Sequence, residues 1–393
     1  MMLAGAFAAV LWYGLLVLRV EPRWALSVFE ILVLGMAAVV LVRRRFAVGL
    51  HPVGVVLAAA AVWAVLQGWA GISVNAERSY EAALGWAVNC AAFSVALAAS
   101  RRAEIRARFL TGQTLFALGL AVAALIWLYT AGVLGPFAYK NQFAAYLECT
   151  MGWALAAAIQ DRKRSFAWML VSAAMLAAVV AGGSRAGSVL CLAELVVLPV
   201  IAWRRGWIDG RRLMRVAATA LVAGAVLVEV AGWETIWRRL QEPNPYAVRA
   251  DLLRSSMEMV RDRPLAGFGM GTWPAAYPAY ARFDDGSFVN QAHNDWAQWA
   301  VEGGVPFLLA MAAVVAMLAR PAFRSLWGLG LMAVFVHAGI DYPFQQRPAL
   351  AAFFFAMAGV LAAEVPALTL GATSSPEPGR RREPSSVTAP SEN

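Results

Sequence analysis

The residues best suited to chemistry lie within residues 233–295, a long polar interval in an otherwise apolar chain. The interval ends in the sequence Gln-Ala-His-Asn-Asp-Trp at residues 291–296, where an apolar helix begins. The positive end of that helix disfavours a charged imidazole at His293, and a neutral imidazole can accept a proton from a hydroxyl group. Asn294 or Asp295 can cap the helix or orient the ring. His293 is therefore either a general base at the external surface of the membrane or only an interfacial capping residue.

Arginine side chains accompany this histidine, and a guanidinium group binds phosphate through paired hydrogen bonds. The interval contains seven arginines. One of them, Arg249, lies in a segment whose apolar spacing predicts a helix over residues 246–263 that Pro264 ends. Arg185 lies where two apolar runs meet, which is a costly position for an arginine without an anionic partner. That partner is either a protein carboxylate, with Glu194 as the candidate, or a substrate phosphate.

Other polar residues in or near the apolar runs point first to structural roles. His337 and Asp341 are one helical turn apart and can hydrogen-bond each other. Glu148 is suited to pairing with a neighbour inside the membrane. The glycine-rich residues 267–273 form either a turn that presents backbone N–H groups to phosphate or a tight turn that packs the loop onto the helices. The three cysteines lie inside apolar runs and are expected to be small core residues.

Membrane helices must position these residues, because the chain is 61% hydrophobic and only 15% charged. Soluble domains carry about 25% charged residues. Twelve apolar segments approach the roughly 20 residues that a spanning helix needs. They cover about residues 3–18, 24–42, 52–71, 82–99, 110–132, 142–159, 166–182, 187–203, 214–231, 296–318, 325–340 and 348–366. The sequence therefore predicts an all-α polytopic membrane protein of about 12 transmembrane helices, the first of them a retained helix rather than a cleaved signal.

Positive charges sort to alternate loops. Seventeen lysines and arginines lie in the loops of one side, and six lie in the short loops of the other. This excess predicts that the first side, with both termini, faces the cytoplasm and that the loop at residues 232–295 is periplasmic. The net charge of +9 follows from this topology and does not indicate a nucleic-acid partner. Two regions are expected: a membrane domain at residues 1–370 and a disordered cytoplasmic tail at residues 371–393.

Several segments together resemble the O-antigen ligase/polymerase membrane family, over about residues 50–366. They are Lys140–Leu147, Gly183–Gly187, Arg249, Pro264–Gly271, Ala292–Gly304 and Gly339–Phe344. The resemblance implies a GT-C-like glycosyltransferase of the bacterial inner membrane that uses undecaprenyl-pyrophosphate-linked glycan donors. It does not separate ligases, which move a finished glycan onto lipid A–core, from polymerases of repeat units or from protein O-oligosaccharyltransferases.

On the matching residues, the resemblance implies that Arg185 and Arg249 hold the donor pyrophosphate and that His293 activates the acceptor hydroxyl. Six further residues are candidates for supporting roles: Lys140, Asn141, Arg254, Asp295, His337 and Asp341. No cofactor is expected, because the donor already carries its leaving group, and no metal is expected, because no His, Cys and Asp cluster has metal-ligand spacing.

The first expectation is thus an O-antigen ligase with lipid A–core as acceptor and membrane lipids around it. A polymerase, with a lipid-linked glycan as acceptor, is the alternative. A solute transporter is disfavoured, because the polar residues concentrate outside rather than at the membrane midplane.

Overall fold

The computed structural model describes residues 1–20, 22–43, 51–243, 246–283, 286 and 288–364. The tail expected at residues 371–393 lies outside this part of the chain. Within it, the secondary structure consists of fifteen α-helices and one short 3-10 helix at Tyr277–Tyr280, without strands. The α-helices are α1 (Met2–Leu16), α2 (Arg23–Arg43), α3 (Pro52–Trp69), α4 (Ala76–Ala99), α5 (Ala103–Ala131), α6 (Lys140–Gln160), α7 (Ser165–Ala181), α8 (Arg185–Arg204), α9 (Gly210–Ala231), α10 (Glu234–Leu240), α11 (Ala247–Asp262), α12 (Trp273–Ala276), α13 (Asp295–Ser325), α14 (Gly328–His337) and α15 (Pro348–Ala362).

Each of the twelve predicted apolar segments coincides with one helix, from α1 to α9 and from α13 to α15. Seven of these helices, α2, α3, α4, α5, α8, α9 and α13, are long and apolar enough to cross a membrane. The apolar helices α1, α7, α14 and α15 are shorter, and α6 carries polar residues along its 21 residues. By the length and composition of its helices the chain is a multi-pass membrane protein, whereas 12 spans and a GT-C-like fold stay predictions.

Three described segments predicted to face the cytoplasm, at Met1, at the start of α5 and after α15, meet at one end of the helix bundle. Arg106, near the start of α5, forms an ion pair of 3.2 Å with Glu364, which follows α15. Arg108 donates a hydrogen bond of 3.0 Å to the sulfur of Met1. The start of α1 and the end of α15 therefore lie at the same face, in agreement with the charge distribution. The compartment that this face meets stays a prediction.

Close packing of α6 against α14 positions the candidate residues at the other end of the bundle. Small residues let membrane helices approach closely. At Gly330 of α14, a Cβ atom would lie 2.6 Å from the carbonyl oxygen of Glu148 in α6. The two helices run in opposite directions, so the end of α14 is held beside the start of α6.

The described residues between α9 and α13 fold into helices that pack on the start of α13. The helix predicted over residues 246–263 is confirmed as α11. Its apolar side places Leu252 and Met259 in a buried cluster with Trp273. Arg249 lies about one turn before Leu252 and reaches the bundle, where it forms an ion pair with a residue that follows α14. The loop is therefore a packed structure that can hold side chains in fixed positions.

The glycine-rich turn before α12 packs this loop onto the bundle. Gly269 and Gly271 donate their backbone N–H groups to the carbonyl and carboxylate oxygens of Glu302, at 3.1 and 3.0 Å. Met270 donates its N–H group to the Gln67 side chain at 3.0 Å. Because these groups already have partners, the phosphate-binding interpretation of the turn is wrong and the packing interpretation is confirmed.

Candidate active site

The carboxylate of Asp341, just after α14, connects three elements at the end of the bundle where α6 begins. Arg249 of α11 forms an ion pair with it at 2.7 Å. The Tyr139 hydroxyl donates to the same oxygen at 3.2 Å, and the Asn141 amide, in α6, also donates to it. The other oxygen accepts the backbone N–H of Tyr342 at 2.9 Å. Asp341 is buried, and these donors hold it in one orientation.

His293 lies beside this carboxylate but is not hydrogen-bonded to it. Its Nδ1 atom is 4.0 Å from Asp341 and has no hydrogen-bond partner among the described residues. The ring meets Tyr342 edge to face, with 4.8 Å between ring centroids, and 26% of the side chain is exposed. Its backbone has φ of 51°, a left-handed conformation that costs on the order of 1 kcal/mol for a residue with a side chain. Strain of this kind concentrates at functional sites.

Burial lowers the pKa of His293 below its ordinary value of 6.5. The charge of Asp341 opposes this shift, and the charge of Arg249 adds to it. The ring is therefore neutral at pH 7, as the sequence predicts. The leading cause is desolvation of the ring rather than the helix end that the sequence suggests.

Two residues at the start of α13 fix the backbone that carries His293. Asn294 caps the helix by accepting the N–H of its first turn at 3.0 Å. Asp295 is buried, and its carboxylate accepts the backbone N–H of Phe344 at 3.0 Å. Its own N–H donates to the carbonyl oxygen of Asp341 at 3.1 Å. Asp295 thus ties α13 to the segment after α14 and does not contact the imidazole.

The Gly-Ser-Arg motif at the start of α8 has a local explanation. Gly183 has φ of 73°, which lets the chain reverse between α7 and α8. Ser184 caps α8 by accepting the N–H of Gly187 at 3.2 Å, and its hydroxyl donates to the side-chain oxygen of Asn141 at 2.7 Å. Arg185 is then the first residue of α8. The motif therefore joins the starts of α6 and α8 and places an arginine beside them.

A cavity of about 170 Å³ opens between α6, α8, α10 and α11, and we call it the cation cavity. Four cationic side chains line it: Lys140, Arg185, Arg239 and Arg249. Arg185 donates to the carbonyl oxygen of Arg239 at 2.9 Å and pairs with Glu242 at 3.3 Å. Its guanidinium also lies over the ring of Tyr246, 5.2 Å from the centroid. The four cations outnumber the neighbouring carboxylates of Glu242 and Asp341, so the cavity favours an anion.

The structure differs from the sequence analysis at Arg185 and at Arg254. Arg185 pairs with Glu242 rather than with Glu194, whose carboxylate has no hydrogen-bond partner among the described residues. Arg254 pairs with Asp251 at 2.7 Å on the exposed side of α11 and does not line the cation cavity. No contact described for Arg254 therefore supports the role predicted for it.

The hydrogen bond expected between His337 and the Asp341 side chain is also absent. The fully buried ring of His337 instead contacts both carboxylate oxygens of Glu148 in α6, at 2.9 and 3.1 Å. The expected pairing of Glu148 inside the membrane is confirmed, with His337 as its partner. The two helices pack closely at this point, and the pair lies below Asp341, inside the bundle.

Tyr139, Ser184, Arg239 and Tyr342 also belong to this arrangement, although the sequence analysis did not select them. Tyr139 adjoins Lys140, so extending that motif by one residue would have found it, whereas Tyr342 lies inside the segment Gly339–Phe344 and was given no role there. Arg239 carried no signal that separates it from the other loop arginines. Among the described residues, no group of three His, Cys, Asp or Glu side chains is placed to hold a metal ion. A metal-free reaction stays a prediction.

A comparison with known protein families gives one match. Residues 170–312 match a family model described as O-antigen ligase. The chain is therefore similar to O-antigen ligases over these residues, which make up about a third of its length. The matched region runs from α7 into α13 and contains Arg185, Arg249 and His293. No curated protein matches the chain. The family resemblance inferred from the sequence is thus confirmed, and the match does not distinguish a ligase from a polymerase.

Proposed function

We propose that the protein is a membrane glycosyltransferase that moves a glycan from undecaprenyl pyrophosphate to a hydroxyl group of lipid A–core on the periplasmic face. The observation that carries the proposal is the position of Asp341, which joins Arg249 of the cation cavity to the neighbouring His293. An anion-binding cavity beside a neutral base suits transfer from a phosphorylated donor to a hydroxyl group. The O-antigen ligase match supports a lipid-linked glycan as substrate.

The cation cavity is assigned to the donor pyrophosphate. Charge grows on the pyrophosphate as it leaves the sugar, and preorganised guanidinium groups stabilise that charge. Arg249 donates a hydrogen bond to Asp341 from one of its nitrogens, which leaves its other N–H groups for the pyrophosphate of the glycan donor. Arg185 is held by the Arg239 carbonyl and by the ring of Tyr246. Both arginines are therefore oriented before the donor binds.

His293 is assigned to the acceptor. Its Nδ1 atom points towards Asp341, so Nε2 is the nitrogen that takes the proton from the acceptor hydroxyl. The hydroxyl oxygen forms a bond to the anomeric carbon of the donor sugar while the bond from that carbon to the pyrophosphate oxygen breaks. The proton ends on His293 and the electron pair leaves with the pyrophosphate. Asp341 stabilises the imidazolium that forms, which makes Asp341 a positioning residue.

The lipopolysaccharide pattern of a strain that lacks the gene tests this proposal. For a ligase, gels show lipid A–core without attached glycan, while the polymer accumulates on its lipid carrier. Complementation with the wild-type gene restores the ladder, and complementation with His293→Ala does not. A single repeat unit attached to core would instead identify a polymerase, and an unchanged ladder would contradict both assignments.

A further inference from the structure

A second and larger cavity, of about 670 Å³, lies along α4 and is bounded by α13, α15 and the turn before α12. We call it the amide cavity, because seven asparagine and glutamine side chains line it together with four aromatic rings. It extends along α4 from Asn75 to Asn89, which corresponds to about 21 Å at the helical rise. Its volume lies in the range of about 300–1,000 Å³ typical of small-molecule sites.

Two buried oxygens in the amide cavity lack a donor. The Asn89 and Gln291 side-chain oxygens are buried and have no hydrogen-bond partner among the described residues. An unsatisfied buried acceptor is costly, and most such groups in native proteins are paired. Both atoms are hydrogen-bond acceptors, so a ligand that satisfies them must carry donors such as hydroxyl groups. An acyl or polyprenyl chain has no such donor.

The charges in the amide cavity differ from those in the cation cavity. Arg78 pairs with Glu81 at 3.2 Å. The Glu302 carboxylate accepts the backbone N–H groups of Gly271 and Trp273, at 3.0 and 3.2 Å. The lining therefore offers no excess of positive charge to a phosphate or a carboxylate ligand. Amide groups and aromatic faces without free cations suit an uncharged, hydroxyl-rich molecule.

The amide cavity approaches His293 along a different part of the chain from the arginines. Gln291 lies two residues before His293, and Phe344 both lines the cavity and donates its N–H to Asp295. The lining of the cation cavity includes instead Tyr139 and Arg249, which both contact the carboxylate of Asp341. His293 is thus linked to the lining of both cavities, through the chain to Gln291 and through Asp341 to Arg249.

We infer that the amide cavity binds an uncharged saccharide segment of the acceptor. The inference rests on the proposed function, in which the acceptor hydroxyl must reach His293 while the donor pyrophosphate lies against the arginines. In a displacement at the anomeric carbon, the attacking oxygen and the leaving oxygen lie on opposite sides of that carbon. An acceptor bound outside the cation cavity satisfies this requirement. Hydroxyl groups of the saccharide supply the donors that Asn89 and Gln291 lack.

The test measures saccharide binding to purified protein in nanodiscs. Maltotriose is the neutral probe and trigalacturonate the charged one, each titrated with saturation-transfer difference NMR. The variants are Asn89→Leu and Gln291→Leu. Gln113→Leu is the matched control, because it also removes a buried amide. Gln113 lies on α5, outside the amide cavity, and accepts a hydrogen bond from Trp12 of α1.

Maltotriose is expected to bind the wild type and the control equally. Its dissociation constant is expected to rise about fivefold in each cavity variant, the loss of one neutral hydrogen bond. Trigalacturonate is expected to bind more weakly than maltotriose. Unchanged maltotriose binding in both cavity variants, or no binding to the wild type, overturns the inference. Weaker binding of undecaprenyl pyrophosphate in the cavity variants, with maltotriose unaffected, also overturns it and makes the cavity a donor site.

Transfer measured in the same preparations separates this inference from the proposed function. If the wild type transfers glycan and Arg249→Ala does not, while the cavity variants bind maltotriose normally, only the inference on the amide cavity fails. If the wild type binds maltotriose as expected and transfers no glycan from a lipid-linked donor, the proposed function fails. The acceptor assignment fails with it, and the cavity stays a saccharide site.

Discussion

The two histidines near Asp341 occupy contrasting surroundings. His337 is fully buried and contacts both oxygens of Glu148 between α6 and α14. His293 lies just before α13, where it is partly exposed and held in a strained backbone conformation. Its Nδ1 atom stops 4.0 Å from Asp341. Both histidines lie near a carboxylate, but only one is fixed by a hydrogen bond to it.

This difference separates a structural role from a chemical one. Removing either partner of a buried hydrogen-bonded pair leaves the other polar group unsatisfied, so His337 supports the packing of α6 and α14, and its full burial keeps it from a substrate. A general base must change its hydrogen bonds as the proton moves, and such contacts tighten only when substrate is bound. The loosely held and neutral His293 fits that requirement.

The largest expected effect is the loss of turnover in His293→Ala. Removing a general base costs about 10²–10⁴ in rate. Purified variant and wild type are compared for transfer from a lipid-linked donor, with protein folding checked by the melting temperature. His337→Gln is the comparison variant and is expected to keep most of its turnover per folded molecule. Comparable losses in both variants would remove the distinction between the two histidines.

Arg249→Ala is expected to lower transfer by about 10²–10³, the usual cost of one charge-stabilising donor. It also leaves the buried carboxylate of Asp341 without its cation, which destabilises the protein. The double variant Arg249→Ala/Asp341→Asn should therefore recover the melting temperature but not the transfer. Arg254→Ala is the matched control, since Arg254 is exposed on the same helix and bonded to Asp251. Transfer restored in the double variant would show that Arg249 acts only on stability.

Arg185→Lys tests the shape of the cation rather than its charge. A lysine keeps the positive charge but not the planar group that lies over Tyr246 and donates to the Arg239 carbonyl. Transfer is expected to fall about tenfold or more, with donor affinity reduced in the same proportion. Wild-type kinetics in Arg185→Lys would mean that a point charge is enough at this position.

The pair His337 and Glu148 should affect stability more than chemistry. Removing one partner leaves the other polar group buried without its hydrogen bond, which costs about 1–3 kcal/mol of unfolding free energy. Glu148→Gln is therefore expected to lower the melting temperature strongly while turnover per folded molecule falls less than about tenfold. Replacing both partners, as Glu148→Leu/His337→Phe, should recover part of the stability. A stable but inactive Glu148→Gln variant would argue for a chemical role of the pair.

The smallest effect concerns the acid limb of the pH profile. Burial lowers the pKa of His293 below 6.5, so the neutral base persists as the pH falls through 6.5. The value of kcat/KM should decline only at lower pH, where the ring becomes protonated. Asp341 raises this pKa, so Asp341→Asn is expected to move the acid limb to still lower pH. An apparent pKa above 6.5 for the acid limb of kcat/KM in the wild type, or the same apparent pKa in Asp341→Asn, would contradict the assignment of this limb to His293.

The positions of the helices could be predicted from the sequence because apolar runs mark them directly. The site could be predicted only in part. Arg249 and Arg254 are five residues apart, which places them about 140° apart around a helix, and only Arg249 faces the bundle. Glu148 and His337 lie on different helices, so no local pattern marks their pairing. Contacts between distant elements depend on how the helices pack, and one sequence does not specify that packing.

The most direct test of the account is the affinity for the lipid-linked donor, because the account divides the site between donor and acceptor. Equilibrium binding of a labelled undecaprenyl-pyrophosphate glycan is measured for wild type, His293→Ala and Arg249→Ala/Asp341→Asn in nanodiscs. The account predicts a dissociation constant within about twofold of wild type for His293→Ala and at least about tenfold higher for the double variant, the loss of one charge-assisted contact. Equal loss of donor binding in both variants, or normal binding in the double variant, would contradict it.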